Sequence, residues 1–345
     1  MRITVARWED VRPDVALRWI ELRRNNPSLA SPYFHPKFTG IVSSIRRQDA
    51  ELAIIEENNA GIVALLPFHR LPGKIGVPIG HYLSDYNGLI CEPDFKCDMR
   101  SVLRQCGLIA FDFYHLVPQP SFVDFQEETE ISPQIDLSDG FAAYAASQKA
   151  VKAEQIKIRR LERDHGPLRF VPHTTDSVAL NHLFVWKQEQ YRKAGKDIIF
   201  SQPWTTDVLQ EIMRTNDRDF GGMLSVLYSG DRIAAVHLGM RTPTIWHQWF
   251  PAYDPELATY SPGLILLLRM AEHAPSIGIK IIDFGKGMSE VKQRFMNAGA
   301  TVASGRVELF SARWAKRRLR RTAVAFARKF RVESSLRALM GQRNW

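Results

Sequence analysis

Apolar positions recur at helical spacing from about Asp14 to Arg24, and a second helical stretch follows Pro36. From Leu52 to Glu56 and from Gly61 to His69 the pattern changes to short apolar and β-branched runs. They flank the turn-like Glu57-Asn58-Asn59-Ala60, which predicts a strand pair. A Gly/Pro-rich loop (Leu71 to Gly80), a helix near Asp98 to Cys106 and an apolar run from Leu108 to Leu116 follow. The segment from Tyr144 to Asp164 has no Gly or Pro and is rich in Ala, Lys, Gln, Arg and Glu. It predicts one helix stopped by Gly166, a connector between two halves.

The second half has a distinctive order. A strand at Leu168 to Pro172 precedes a helix from Asp176 to Ala194 and another from Thr205 to Thr215. Met223 to Tyr228 and Arg232 to Met240 flank Ser229-Gly230-Asp231 as a hairpin, and Thr242-Pro243 turns the chain into a third strand, Thr244 to Tyr253. After the loop Asp254 to Ser261, Pro262-Gly263 opens an apolar helix through about Ala274. A buried strand (Ile279 to Phe284), a helix (Ser289 to Asn297) and a final strand (Thr301 to Phe310) complete it. Strand, helix, helix, three-strand meander, helix, strand, helix, strand is the order of the GNAT acyltransferase fold.

Particular residues carry a closer resemblance. Tyr253-Asp254-Pro255-Glu256 with Tyr260-Ser261-Pro262-Gly263-Leu264, and Ile282-Asp283-Phe284-Gly285 with Gly287 and Lys292, resemble two blocks of the CelD/BcsL-type acetyltransferase family, which is related to the FemABX peptidyltransferases. Leu161-Glu162, Gly230 with Ile233-Ala234-Ala235, Leu66-Pro67 and Ser84-Asp85-Tyr86-Asn87 also resemble it. Val291 departs from it, standing where the family has Tyr. The resemblance implies a mixed α/β chain of tandem GNAT-like domains, the N-terminal one degenerate, with substrate near their junction. The expected divisions are 1–145, a connector helix at 146–165, an acyl-CoA-binding domain at 166–311 and a basic tail at 312–345.

Composition changes this picture little until charge is located. The 345 residues carry a net charge of +9, but eleven Lys and Arg from Arg313 onward, opposed only by Glu333, give the tail +10; residues 1–312 therefore carry −1. If 312–332 is helical, Leu319, Ala323, Phe326, Ala327 and Phe330 share one face with basic residues around the rest. That suits an anionic membrane surface, while the neutral body argues against nucleic acid as a partner. Neither a secretory h-region nor a membrane-spanning apolar stretch is present, so the expected location is cytoplasmic, peripheral at the inner face of the membrane. Cys91, Cys97 and Cys106 form no CxxC pair and predict neither a disulfide framework nor a metal site.

Acyl transfer to an amine needs donors for the phosphates of acyl-CoA, an oxyanion donor for the thioester and a route for the amine's proton. The helix opened by Pro262 supplies unpaired N–H groups, which places Tyr253, Tyr260, Ser261, Pro262, Gly263 and Leu264 as cofactor-binding candidates for acetyl-CoA or another acyl-CoA. A splayed strand from Thr244 to Tyr253, disturbed by Pro251, would offer the oxyanion donor. Asp283, His237, His247 and Lys292 are the catalytic candidates, each with a plain structural alternative. Asp85, Tyr86, Asn87, Gln190, Tyr191 and Trp246 are the substrate-side candidates; Trp246 and Trp249 should lie on opposite faces of one strand. The leading expectation is an N-acyltransferase acting by direct attack on an amine, such as an amino sugar of a polysaccharide or lipid precursor. A FemABX-like aminoacyl-tRNA-dependent transferase and an idle scaffold in polysaccharide synthesis stand as alternatives.

Overall fold

A computed structural model describes residues 1–46, 50–195, 199–200 and 202–309; the basic tail expected at 312–345 lies outside the described residues. The first half runs β1 (Arg2–Arg7), α1 (Pro13–Asn25), α2 (Pro36–Ile45), β2 (Ala50–Glu57), β3 (Gly61–Leu71), β4 (Ile75–Pro78), β5 (Ile90–Cys91), α3 (Met99–Gln105), β6 (Ala110–Leu116) and β7 (Gln126–Asp136). Helices α4 (Gly140–Ser147) and α5 (Lys149–His165) lead to the second half. That half runs β8 (Leu168–Val171), α6 (Ser177–Lys193), α7 (Pro203–Arg214), β9 (Gly221–Ser229), β10 (Arg232–Arg241), β11 (Ile245–Tyr253), α8 (Pro262–His273), β12 (Ile281–Asp283), α9 (Glu290–Phe295) and β13 (Ala298–Glu308).

The strands form one sheet in the order β1-β2-β3-β4-β6-β13-β7-β12-β11-β10-β9-β8, with β5 paired to β3. Read from either end, the sheet repeats one plan. Antiparallel strands lead to a parallel pair, β4 with β6 on one side and β11 with β12 on the other. Each half then borrows its next strand from the other: β13 pairs with β6, β7 pairs with β12, and β7 and β13 pair antiparallel at the centre. The sheet therefore runs unbroken across the division expected at residues 145–166.

Packing follows the same plan. On one face α1, α2, α6 and α7 share a single core, with Trp19, Phe38, Leu183 and Ile212 fully buried. The other face carries two separate cores, one beneath α3 (Met99, Val102, Leu103, Phe111) and one beneath α5 and α8 (Leu161, Trp246, Ile265, Ile282). Each such side chain contributes about 1.5–3 kcal/mol on burial, so a core spanning both halves of one face joins them more firmly than the central ribbon alone.

Three local expectations are corrected. The Gly/Pro-rich loop contains a strand, β4, and the charged segment predicted as one helix breaks at Gln148 into α4 and α5. The loop Asp254 to Ser261 contains a 3-10 helix, Pro255–Tyr260, with Asp254 accepting from the Glu256 N–H. Strands β1 and β7 have no counterpart in the sequence reading.

Candidate active site at the junction of the halves

Strand β11 pairs with β12 over only three positions: Ile245 with Ile281, Trp246 with Ile282, and His247 with Asp283. Beyond His247 the strands part; β11 runs on to Tyr253 with no strand on that side among the described residues. The β10–β11 ladder also slips by one residue between Leu238 and Met240, a bulge that puts an extra residue into β11 around Gln248 and Trp249. The Trp249 N–H is donated to His237 Nε2 at 3.2 Å, not to a strand neighbour. These two features open a wedge with its vertex at His247 and Asp283.

The vertex is lined from both halves. His247 Nε2 lies 3.1 Å from Asp85 Oδ2 and 3.0 Å from Tyr33 Oη, while Nδ1 sits 3.6 Å from Asp283 Oδ1, an ion-pair distance. Asp283 ends the short strand β12, and its carboxylate closes the turn by accepting from the Gly285 N–H at 2.7 Å. It also accepts from Tyr86 Oη at 2.7 Å and Gln134 Nε2 at 2.9 Å; Tyr86 reaches Ser132 of β7 at 2.6 Å. Gly285 has φ +65°, and a Cβ there would strike Asp85 and come within 2.7 Å of His247 Cε1, so only glycine lets the carboxylate lie against this turn.

Charge is settled inside the cluster. Burial opposes ionisation of Asp85, but the His247 hydrogen bond and the Lys286 ammonium outweigh it and hold the carboxyl below its usual range. Burial likewise opposes ionisation of Asp283, and the nearby His247 ring, with the hydrogen bonds from Tyr86 and Gln134, reverses the sign. Burial works against a charged His247, yet the two carboxylates raise its pKa. The two carboxylates thus favour the charged form of His247, and His247 favours theirs.

Four of the expected site residues thus meet here: Asp85, Tyr86, His247 and Asp283. The other catalytic candidates do other things. Burial drives His237 down to about 3, so its neutral ring serves as acceptor for the bulge N–H. Lys292 donates to the carbonyls of Lys286 (2.6 Å), Gly287 (2.9 Å) and Gly285 (3.4 Å), so it braces the turn after Asp283 instead of pairing with that residue. None of the four catalytic candidates stands in the resting structure as a free proton acceptor.

The substrate-side candidates divide likewise. Asn87 is a filler: its N–H and C=O bond His115 O and Val117 N, and its side chain bonds Tyr114 O, closing the first half's own gap beside β6. Trp246 is corrected to a core residue, fully buried beneath α8 on the face opposite Trp249. Gln190 lines a cavity of about 150 Å³ between α6 and the end of β11, with Tyr253 and Pro255 opposite. Lys187, one turn earlier, is 7% exposed and donates to Gln190 Oε1 at 2.7 Å, while its ammonium lies 5.3 Å from the Tyr191 ring centre. It has no carboxylate partner among the described residues, and burial lowers its pKa to about 8.

Of the cofactor candidates, Pro262 occupies the first turn of α8, and Ser261, at φ +54°, makes no side-chain cap. Ser261 O accepts from the N–H groups of Leu264 and Ile265, and Pro262 has none, so Gly263 N–H is the first-turn donor that meets no side-chain cap. Ser261 Oγ accepts from Lys157 of α5 at 3.0 Å. The Tyr253 ring lies over Gly263, whose added Cβ would approach it to 3.3 Å. Leu264 packs on the second core, and Tyr260 turns outward to Asp164 at 3.0 Å. Tyr33, Ser132, Gln134, Lys187 and Lys286 were not anticipated; only Lys286, between two glycines beside Asp283, carried a local signal.

Residues 152–293 match the family model of the acetyltransferase (GNAT) domain. No protein of curated function matches the sequence. Among solved structures, a tandem GNAT protein from the clavulanic acid biosynthesis pathway aligns with a TM-score of 0.52 at 11% identity, over 90% of this chain and 99% of that one. FemX aligns at 0.52 and 10% identity (89% and 96%), and L-PGS from Bacillus licheniformis at 0.50 and 14% (88% and 94%). At these identities the likeness is one of fold, and it spans both halves. No helix among the described residues is long and apolar enough to cross a membrane, and no group of His, Cys, Asp and Glu among them could hold a metal ion. Residues 152–293 thus match a GNAT acetyltransferase domain, and the chain that carries them has a tandem GNAT fold.

Proposed function

We propose that the protein transfers an acyl group, acetyl in the simplest case, from acyl-CoA to a primary amine in a ternary complex. The observation that carries this reading is the wedge itself: a strand edge without a partner runs from an uncapped helix N-terminus to a buried, charged vertex. The start of α8 suits a pyrophosphate, since the Gly263 N–H, which Ser261 O does not take, sits at the positive end of the helix dipole. An extended pantetheine arm suits the free edge of β11, which brings a thioester to the bulge and the vertex.

There the amine nitrogen attacks the thioester carbonyl carbon, a C–N bond forms, the C–S bond breaks, and the thiolate leaves to take up a proton. Asp85 is the natural holder of the incoming ammonium, being the more exposed of the two carboxylates on His247, with 10% of its side chain accessible against 2% for Asp283. Its low proton affinity makes it a binding and orienting group; the amine gives its proton to solvent before attack. His247, backed by Asp283, holds Asp85 in place. An amino sugar of a polysaccharide or lipid precursor is the acceptor class favoured by the CelD/BcsL resemblance. The basic segment 312–332 would keep such an enzyme near an anionic membrane.

The test is release of free thiol from acetyl-CoA across a panel of amino sugars and alkylamines, with the acylated amine identified by mass. Turnover that falls at least a hundredfold in Asp85→Asn supports the assignment. Turnover unchanged in that variant removes Asp85 from the site, and absence of acyl-CoA binding by folded protein redirects the reading to an aminoacyl-tRNA donor.

A further inference from the structure

Lys286 reaches solvent substantially, with 40% of its side chain exposed. Its ammonium nevertheless points inward, 3.3 Å from Asp85 Oδ1, and donates to Tyr82 O at 3.0 Å. It lies 5.9 Å from the centre of the Tyr114 ring. A carboxylate oxygen, a carbonyl and an aromatic face are the three kinds of group that hold a primary ammonium. The other Asp85 oxygen is committed to His247, so Oδ1 is the edge left for an incoming cation.

Charge balance sharpens the point. Lys286 and Lys292 face the carboxylates around the vertex, and the two carboxylates against His247 favour its charged form. Withdrawing Lys286 takes one positive charge from beside Asp85, which a single monocation restores. The backbone allows the withdrawal: Lys286 sits between Gly285 (φ +65°) and Gly287 (φ +76°), and a Cβ at Gly287 would meet nothing within 4 Å. Lys292 braces this turn through its carbonyls, so the Lys286 side chain is free to swing while the turn holds.

We propose that the Lys286 ammonium is a built-in stand-in for the acceptor amine, seated on Asp85, the Tyr82 carbonyl and Tyr114 until a primary ammonium displaces it. The inference rests on reading the vertex as the acceptor end of an N-acyltransferase. Its consequence is that the site takes amines as cations, and that emptying it of Lys286 raises its affinity for them. If the lysine holds the seat about nine-tenths of the time, its removal tightens binding roughly tenfold.

The experiment is calorimetric titration of the full chain and of Lys286→Met with n-butylammonium, using n-butanol as the uncharged control and no acyl-CoA. The expected result is butylammonium binding about tenfold tighter in Lys286→Met than in the unmodified chain, with butanol binding neither. Equal or weaker binding in Lys286→Met, binding of butanol as good as that of the amine, or no amine binding by folded Lys286→Met would each overturn the proposal. Acyl-CoA binding, measured separately on the same preparations, stays intact in that event if only the stand-in is wrong. It is lost with it if the acyltransferase reading is wrong.

Discussion

The two halves of the sheet follow one plan and part company at the same place. In the second half the strand before the gap, β11, has nine residues, a bulge, and an uncapped twelve-residue helix after it. Its counterpart β4 has four residues, pairs with β3 without a slip, and leads only to a three-residue 3-10 helix, His81–Leu83, before α3. When that helix comes, Asp98 caps it by accepting from the N–H groups of Arg100 and Ser101, so its anion-binding end is filled by the chain's own carboxylate. The first half's gap is closed by Asn87, which bridges to β6. One half keeps an uncapped helix start and, among the described residues, an open strand edge; the other spends the same elements on itself and supplies Tyr33, Asp85 and Tyr86 to its neighbour's vertex. Duplication of a fold thus needs only one open wedge, and the spare copy becomes a wall of the site.

The largest way to break this comparison is at the vertex. Asp283→Ala leaves His247 without one of its two carboxylates in a fully buried setting, with an expected loss of about 3–5 kcal/mol and complete loss of transfer. Urea unfolding measures the first, and thiol release the second. A loss below 1 kcal/mol would mean the cluster is not the charged core inferred here.

The bulge comes next. A Cβ at Gly239 would strike His247 O and approach His237 Cε1 to 2.6 Å, so Gly239→Ala should cost about 1–3 kcal/mol. It should also lower turnover more than it raises KM, because it disturbs the strand at the reacting end of the wedge.

Titration gives a sharper signature. His247 has a folded pKa raised above its unfolded value, so its contribution is full below about pH 6.5 and fades as pH rises through the folded value. Asp85 and Asp283 have lowered pKa values, so theirs is present above about pH 4 and fades on acidification. Stability from the cluster should peak between these limits. In His247→Gln the decline above about pH 6.5 should flatten, as read by unfolding free energy against pH.

Much of this architecture could be read from the residues, and the parts that could not have physical reasons. The second half was legible because its strands are apolar runs and Ser229-Gly230-Asp231 is a turn of known chemistry. Strand β7 was not: QEETEISPQID is exposed from Glu127 to Ile131 and contains Pro133, so neither alternation nor propensity marks it, although it lies in the middle of the sheet. Strand β4 hid among the glycines and prolines of a loop. Asp283 stood out as an acid ending an apolar run, and Asp85 through its resemblance to a family block. Tyr33, Ser132 and Gln134 come from three unrelated segments that only the strand exchange brings together. His237 and His247 looked alike in sequence; burial lowers the pKa of the first, and two carboxylates raise that of the second.

A smaller effect concerns the capped helix of the first half. Asp98→Ala should cost about 1 kcal/mol of stability through the lost cap, yet confer no second site for acyl-CoA, because Asn87 still fills the gap beside β6. A second acyl-CoA in that variant would show that the cap alone closes the first half.

The central claim is that one wedge of the two is open. It is tested most directly by calorimetric titration of the full chain with acetyl-CoA and longer acyl-CoAs, reading the stoichiometry. The account predicts one saturable site per chain, abolished by Gly263→Trp, whose indole would collide with Tyr253 at the start of α8. Two sites per chain, or one that survives Gly263→Trp, would contradict it.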